Sequence, residues 1–181
     1  MASEEWRVLS RLELLDGSPW LRVWAETVEL PDGRVIDGFY SLDSPDYAVV
    51  FATAGEQVVV QRGYKHGPRR VALHLPSGHL EPGEEPLDAA KRELREETGY
   101  EAEGWTPLGT FSSDGNRGAG RAYLFRADGA RKVAEPASDD LEETETLLLT
   151  QHELLVALGR GEVAVLSSAA TIALAASPPT S

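Results

Sequence analysis

Cysteine is absent from this 181-residue chain. Without a thiol there is no disulfide, no thiolate metal site and no cysteine nucleophile, and the pattern suits a reducing compartment. Basic side chains are scarce as well: 17 Lys and Arg stand against 30 Asp and Glu, a formal net charge of −13. Polyanions are gripped through clustered Lys and Arg, so neither nucleic acid nor a membrane surface is an expected partner. Long hydrophobic runs are also lacking. Residues 163–176 are rich in Ala, Leu and Val, yet fall short of the ~20 apolar residues a bilayer span needs. They read as a packed helix or strand before a frayed tail. The first residues, Met-Ala-Ser-Glu-Glu-Trp, are acidic and unlike a secretory leader, so a cytoplasmic location is expected. No repeat is present, and the length suits one catalytic domain with a real apolar core.

Alternating and turn-forming residues outline the elements. Residues 20–30 followed by Pro31-Asp32-Gly33 and Arg34-Val35-Ile36 read as a hairpin. A second strand pair is expected over 47–53 and 57–61, apolar enough to be buried on both faces. Residues 71–75 lead to Pro76-Ser77-Gly78, where a loop begins. A helix is expected between about 86 and 98, with Pro86 in its first turn, Asp88 near its positive end and Gly99 as the left-handed stop. Leu87, Ala90 and Leu94 form its apolar stripe, and small Ala89 is expected to leave room for a ligand. Residues 104–112 and 121–126 read as strands around a loop at 113–120. An acidic stretch at 135–145 precedes a strand at 146–149 and a helix at 151–158 that Gly159 ends. Strands interspersed with a few helices predict an α/β fold with a mixed sheet.

The chemistry concentrates between residues 78 and 100, where a glycine loop feeds the expected helix. Glu93, Glu96 and Glu97 lie three and four positions apart, so at roughly 100° per residue they project within one sector. Three such carboxylates repel unless a hard, oxygen-seeking ion such as Mg²⁺ or Mn²⁺ joins them, leaving positions that phosphate oxygens can fill. The ordinary reading of such a run is a solvated charge ladder. The preceding glycine loop and Glu84 argue against it.

This stretch resembles the Nudix box, Gly-x5-Glu-x7-Arg-Glu-U-x-Glu-Glu-x-Gly-U with U aliphatic, at Gly78, Glu84, Arg92, Glu93, Leu94, Glu96, Glu97 and Gly99. Tyr100 alone departs, standing where an aliphatic residue is usual. The resemblance implies an α/β/α sandwich with a mixed sheet, here residues 41–181, preceded by a small antiparallel β region over residues 1–40 that can form a dimer. It assigns metal coordination to Glu93, Glu96 and Glu97, with Glu84 contributing directly or through water and the backbone carbonyl near Ser77 completing the shell. Arg92 would orient a carboxylate by hydrogen bonding. The implied reaction is attack of water on a phosphorus of a diphosphate bridge, supported by bound cations.

In relatives that hydrolyse ADP-ribose, a glutamate from a later loop is the general base. Glu142 takes that place here, with Asp140 and Glu143 as alternatives and solvent-facing loop charges as the plain reading. Gln61-Arg62 resembles a phosphate-contacting region of those relatives, and Asp114 and Arg117 sit in a glycine-rich loop able to approach a ligand. Arg62 belongs to a basic patch with Lys65, His66, Arg69 and Arg70. Trp6, Trp20, Trp24, Tyr40 and Trp105 could stack on a base, although large aromatics are more often core or interface material.

The N-terminal extension, residues 30–34 and residues 75–84 resemble the ADP-ribose pyrophosphatase branch, whose members are homodimers releasing AMP and ribose 5-phosphate. Asp114-Gly115-Asn116 replaces a proline usual there, so other nucleoside diphosphate sugars stay open. The substrate is expected to be a small nucleoside diphosphate derivative. A nucleoside triphosphate pyrophosphatase and a noncatalytic sensing module are the alternatives. The isomerase class that shares the fold relies on cysteine and drops out.

Overall fold

The computed structural model describes residues 5–137 and 144–177. Its strands in chain order are β1 (Arg7–Gly17), β2 (Leu21–Glu29), β3 (Val35–Asp43), β4 (Tyr47–Ala54), β5 (Gln57–Lys65), β6 (Arg70–His74), β7 (Ser77–His79), β8 (Tyr100–Glu101), β9 (Gly104–Asp114), β10 (Gly118–Asp128), β11 (Arg131–Lys132) and β12 (Thr144–Thr150). The helices are α1 (Pro86–Thr98), α2 (Gln151–Gly159) and α3 (Leu166–Ala176). The chain divides into two compact units. One runs to Asp46 and includes Ser112–Arg121; the other holds Tyr47–Phe111 and the chain from Ala122 onward.

In the first unit β1, β2 and β3 form an antiparallel meander. The expected hairpin is present, its turn closed by the Gly33 N–H on the Leu30 carbonyl at 2.9 Å. The strand β1 falls in the antiparallel β region expected over residues 1–40, but its own bounds were not read from the sequence. Its pairing with β2 shifts register between Val8 and Ser10 and again between Glu13 and Leu15. Each bulge flips the alternation, so apolar residues fall on both faces and the period of two is smeared. Trp24 is held within this unit, its ring between the Arg11 and Arg22 guanidiniums at 4.1 and 4.4 Å and its Nε1 donating to Asp43 Oδ2 at 2.7 Å. That placement accounts for Trp24 without a ligand.

In the second unit β10 runs parallel to β4, β4 antiparallel to β5, and β5 antiparallel to β12, with β6 on β5 and β7 on β4. The sheet is mixed, as expected. Ala48, Val49, Val50, Phe51 and Ala52 are fully buried, because both faces carry helices. Val49, Phe51, Val58 and Val60 pack with Leu154 of α2 and Ile172 of α3. Ala48, Val50, Ala52 and Val59 pack with Ala89, Ala90 and Leu94 of α1. Burying Leu94 completely is worth roughly 2 kcal/mol. The arrangement is the expected α/β/α sandwich. No helix among the described residues is long and apolar enough to cross a membrane.

Three local readings are corrected. Ala89 is buried in the core against the sheet and leaves no room for a ligand. The residues after Pro76 form the short strand β7, pairing Ser77 with Val49, where a loop was expected. The helix α2 does end on Gly159, but that residue is not left-handed; the left-handed residue beyond it is Gly161, at φ 72°.

The start of α2 carries a capping box that the sequence reading passed over. Thr150 Oγ1 accepts from the Glu153 N–H at 3.2 Å, and the Glu153 carboxylate accepts from the Thr150 N–H at 2.8 Å. Hydrogen bonds from the Thr150 side chain and backbone hold the Glu153 carboxyl below its ordinary 4.5. Its contribution to stability is therefore complete above about 4.5 and drains away as pH falls through the lowered folded value. Thr150→Ala is expected to cost about 1 kcal/mol in thermal unfolding at neutral pH. The deficit should shrink in acid.

Candidate active site

The helix α1 begins with Pro86 at its first position and ends on Gly99 at φ 75°, whose N–H bonds the Arg95 carbonyl. These limits match the expected ones. Leu94 and Ala90 anchor one side to the sheet, and the neighbouring side carries Arg92, Glu93 and Glu96, with Glu97 tucked toward β7.

Arg92 is the centre of the cluster. Its Nε donates to Glu84 Oε1 at 2.9 Å; Nη1 donates to Glu93 Oε1 at 2.7 Å and Glu96 Oε2 at 3.1 Å; Nη2 donates to Glu84 Oε2 at 2.9 Å and the His79 carbonyl at 3.0 Å. All five guanidinium hydrogens are engaged, and the grip on Glu84 is bidentate. Sequence reasoning foresaw the Arg92–Glu96 bond four residues along the helix. It missed the other four, which depend on how the glycine loop folds back over α1.

These bonds fix protonation states. Arg92 holds the Glu84 carboxyl below its ordinary value, helped by the Glu81 N–H. The guanidinium in turn is raised, chiefly by its hydrogen bonds to Glu84. Glu84 and Arg92 are therefore a charged pair at neutral pH. Glu97, 8% exposed, accepts the Ser77 N–H on Oε2 at 2.8 Å. That bond ties the third carboxylate of the helix to β7, the strand that holds Gly78.

Gly78 fits only because it has no side chain. A Cβ there would lie 2.1 Å from Glu93 Cδ and Oε1. The Glu93 carboxylate thus occupies the space above the bare backbone of β7. Among the described residues no three of the acidic and imidazole side chains already enclose a common point. The donor set nevertheless fits a hard divalent cation: four carboxylates, offset by one guanidinium, present oxygen alone. Glu84, Glu93, Glu96 and Glu97 are the residues able to hold it, with the Ser77 backbone beside them.

A cleft of about 550 Å³ flanks this cluster, sharing Arg92 and Glu96 and adding Lys91, Arg95 and Trp105. Lys91 and Arg95 were not singled out from sequence, although their spacing of four places them on one side of the helix. Trp105 is half-buried, its Nε1 donating to the Ala102 carbonyl at 3.2 Å and its ring edge-on to Phe125.

Of the other expected residues, Arg62 lies apart from the cluster. Arg62, in β5, is exposed and lines a different cavity with Arg70 and residues of α2. Asp114 organises the turn between β9 and β10, its Oδ1 accepting the N–H groups of Asn116 and Arg117, both at 2.8 Å. Those two bonds hold its carboxyl below the usual range. Arg117 closes the same turn, its Nη1 3.4 Å from Asp114 Oδ2. Asp140, Glu142 and Glu143 lie outside the described residues.

Comparison with known proteins gives a consistent set of likenesses. Residues 44–165 match the NUDIX domain, and residues 6–42 match the nucleoside diphosphate sugar hydrolase N-terminal domain. The chain is 27% identical over 164 residues to the ADP-ribose pyrophosphatase of Bacillus subtilis (strain 168), spanning 90% of this chain and 88% of the relative. It is 31% identical over 136 residues to the methanol dehydrogenase activator of Bacillus methanolicus, spanning 75% and 74%. A crystal structure of an ADP compounds hydrolase superposes with a TM-score of 0.80, covering 94% of this chain and 92% of that one. At 18% identity this last likeness speaks for the fold.

Proposed function

The chain belongs to the Nudix family, and from that premise we propose that it cleaves the diphosphate bridge of ADP-ribose or a nucleoside diphosphate sugar, releasing a nucleoside monophosphate and a sugar phosphate. It is a pyrophosphohydrolase, and the family works with a divalent metal. The observation that carries the reading is the set of three glutamates, Glu84, Glu93 and Glu96, gathered by Arg92 beside Gly78, with Glu97 tied next to them to the Ser77 N–H. The N-terminal match and the pyrophosphatase relative support a diphosphate conjugate over a nucleoside triphosphate.

Glu93, Glu96 and Glu97 would hold the metal, taken here as Mg²⁺ with Mn²⁺ able to replace it, and Glu84 and the Ser77 carbonyl would assist. When bound, the cation offsets charge on the phosphoryl oxygens and lowers the pKa of bound water. Arg92 keeps the carboxylates oriented, so little reorganisation remains when substrate arrives. Lys91 and Arg95 supply positive charge along the adjoining cleft, and the Trp105 ring offers a flat apolar surface there. The general base is assigned to Glu142, with Asp140 and Glu143 next to it in sequence, and Asp114 and Arg117 are retained as substrate contacts, whereas Arg62, which faces another cavity, is not. A cysteine-free chain suits the reducing cytoplasm.

Residues 1–40 are proposed as a dimer-forming extension to a hydrolase domain over 41–181. All eleven residues of β1 are exposed, Leu12 at 65% among them, and Trp20 at the end of the following turn is 65% exposed. Apolar side chains so concentrated mark a surface that is covered in the working molecule. Introducing two charges with Leu12→Glu and Leu14→Glu should convert a dimer to a monomer in light scattering. An unchanged dimer mass places the interface elsewhere.

The substrate reading is tested by incubating the protein with ADP-ribose, nucleoside diphosphate sugars, dinucleotides and nucleoside triphosphates in Mg²⁺ or Mn²⁺, then identifying products. A mononucleotide with a sugar phosphate is the expected pair. A nucleoside monophosphate with pyrophosphate assigns the chain to triphosphates, and binding without turnover assigns it to sensing.

A further inference from the structure

The basic patch noted in the sequence is not absorbed by the carboxylate cluster. In the folded chain Arg62 and Arg70 face a cavity of about 650 Å³, joined there by Arg160 and His152. Side chains alternate along a strand, and Val58 and Val60, four and two residues before Arg62, pack with Leu154 of α2. Arg62 therefore projects on the α2 side of the sheet. Glu93, Glu96 and Glu97 ride on α1, which packs on the other side. The two sites are separate.

Three guanidiniums around one cavity are a notable concentration in a chain carrying −13. Arg70 is pinned, its Nη2 donating to the Gly161 carbonyl at 2.7 Å. Two carboxylates also line the cavity. Glu153 is committed to Thr150, its Oε2 accepting from the backbone N–H at 2.8 Å and from Oγ1 at 2.7 Å. Glu162 remains as a counter-charge at the edge, leaving an excess of cations. Neither Arg62 nor Arg160 has an ion-pair partner among the described residues.

The floor is apolar, with Val71, Leu147 and Leu149 contributing. A size of several hundred Å³, apolar walls and a few convergent polar groups are the ordinary attributes of a small-molecule site. Guanidiniums favour phosphate through paired hydrogen bonds. An apolar floor beside them favours a phosphate ester with a flat, weakly polar body over free phosphate or a sugar phosphate. The geometry points to a second, noncatalytic site on the α2 face that binds a nucleoside monophosphate. Only the ligand's status as a reaction product rests on the proposed function. If that function holds, the site reports accumulated product.

Calorimetric titration of the whole protein with AMP and CMP in EDTA tests this. Without a divalent cation the four-glutamate cluster repels phosphate, so binding there is suppressed while the α2 cavity is unaffected. Saturable binding is expected, with ribose 5-phosphate and inorganic phosphate markedly weaker. Arg160→Glu should weaken it by roughly ten- to a hundredfold, the loss of charge-assisted hydrogen bonds. Arg160→Lys should recover part of the affinity, and Glu97→Gln should leave the metal-free affinity unchanged. No binding in EDTA, equal affinity for inorganic phosphate, or indifference to Arg160→Glu overturns the proposal. Because the titration needs no turnover, an inactive protein that still binds mononucleotide refutes only the hydrolase reading, and an active one that does not bind refutes only this site.

Discussion

Glu97→Gln is expected to keep its fold and lose Mg²⁺-dependent turnover by roughly three orders of magnitude. Glutamine still offers an oxygen to the Ser77 N–H, now 2.8 Å from the carboxylate, so the tie between α1 and β7 survives. What disappears is one negative charge from the cation-binding set, at a position only 8% exposed where water compensates poorly. Thermal unfolding alongside initial rates separates the two effects. A variant that unfolds like the parent and hydrolyses as fast shows that Glu97 serves packing alone.

Gly78→Ala is the second large effect, and its logic is steric. The added Cβ would sit 2.1 Å from Glu93 Cδ and Oε1 and 2.3 Å from Oε2. These atoms are the end of a flexible side chain, so the conflict is relieved by moving the carboxylate and the backbone stays in place. Moving it breaks the 2.7 Å bond from Arg92 Nη1. A displacement on the order of 1 Å in a positioned group costs about a hundredfold in rate. A nearly unchanged melting temperature is therefore expected together with a turnover number down by about that factor. Full activity in Gly78→Ala would show that Glu93 need not stand where the structure puts it. Loss of the fold would show that the backbone of β7 itself cannot yield.

What could be read from the chain depended on how local the signal was. The limits of α1 were legible because Pro86, Asp88 and Gly99 act within one turn of the ends they mark. The buried pair β4 and β5 was legible because near-continuous apolar runs suit a strand covered on both faces. The carboxylate cluster was legible as residue spacing, since Glu93, Glu96 and Glu97 share one helix. Its organisation was not. The bonds from Arg92 to Glu84 and the His79 carbonyl span eight and thirteen residues across a folded-back loop.

Long-range pairing hid the rest. The cavity on the α2 face joins Arg62 to Arg160 through the pairing of β5 with β12, in which Gln57 meets Thr150. No local pattern announces a contact of that separation. The strand β1 was obscured by its two bulges, which disturb the alternation a sequence reading relies on. Ala89 misled for another reason: small residues on a helix open space for a ligand or allow close packing on a sheet, and spacing alone does not separate the two.

Anomalous scattering from crystals soaked in Mn²⁺ is the most direct measurement of the central claim, that the α1 glutamates gather a catalytic cation. Manganese is expected among Glu84, Glu93, Glu96 and Glu97, and should be lost or displaced in Glu97→Gln. An active protein whose manganese lies elsewhere at saturating concentration contradicts the account.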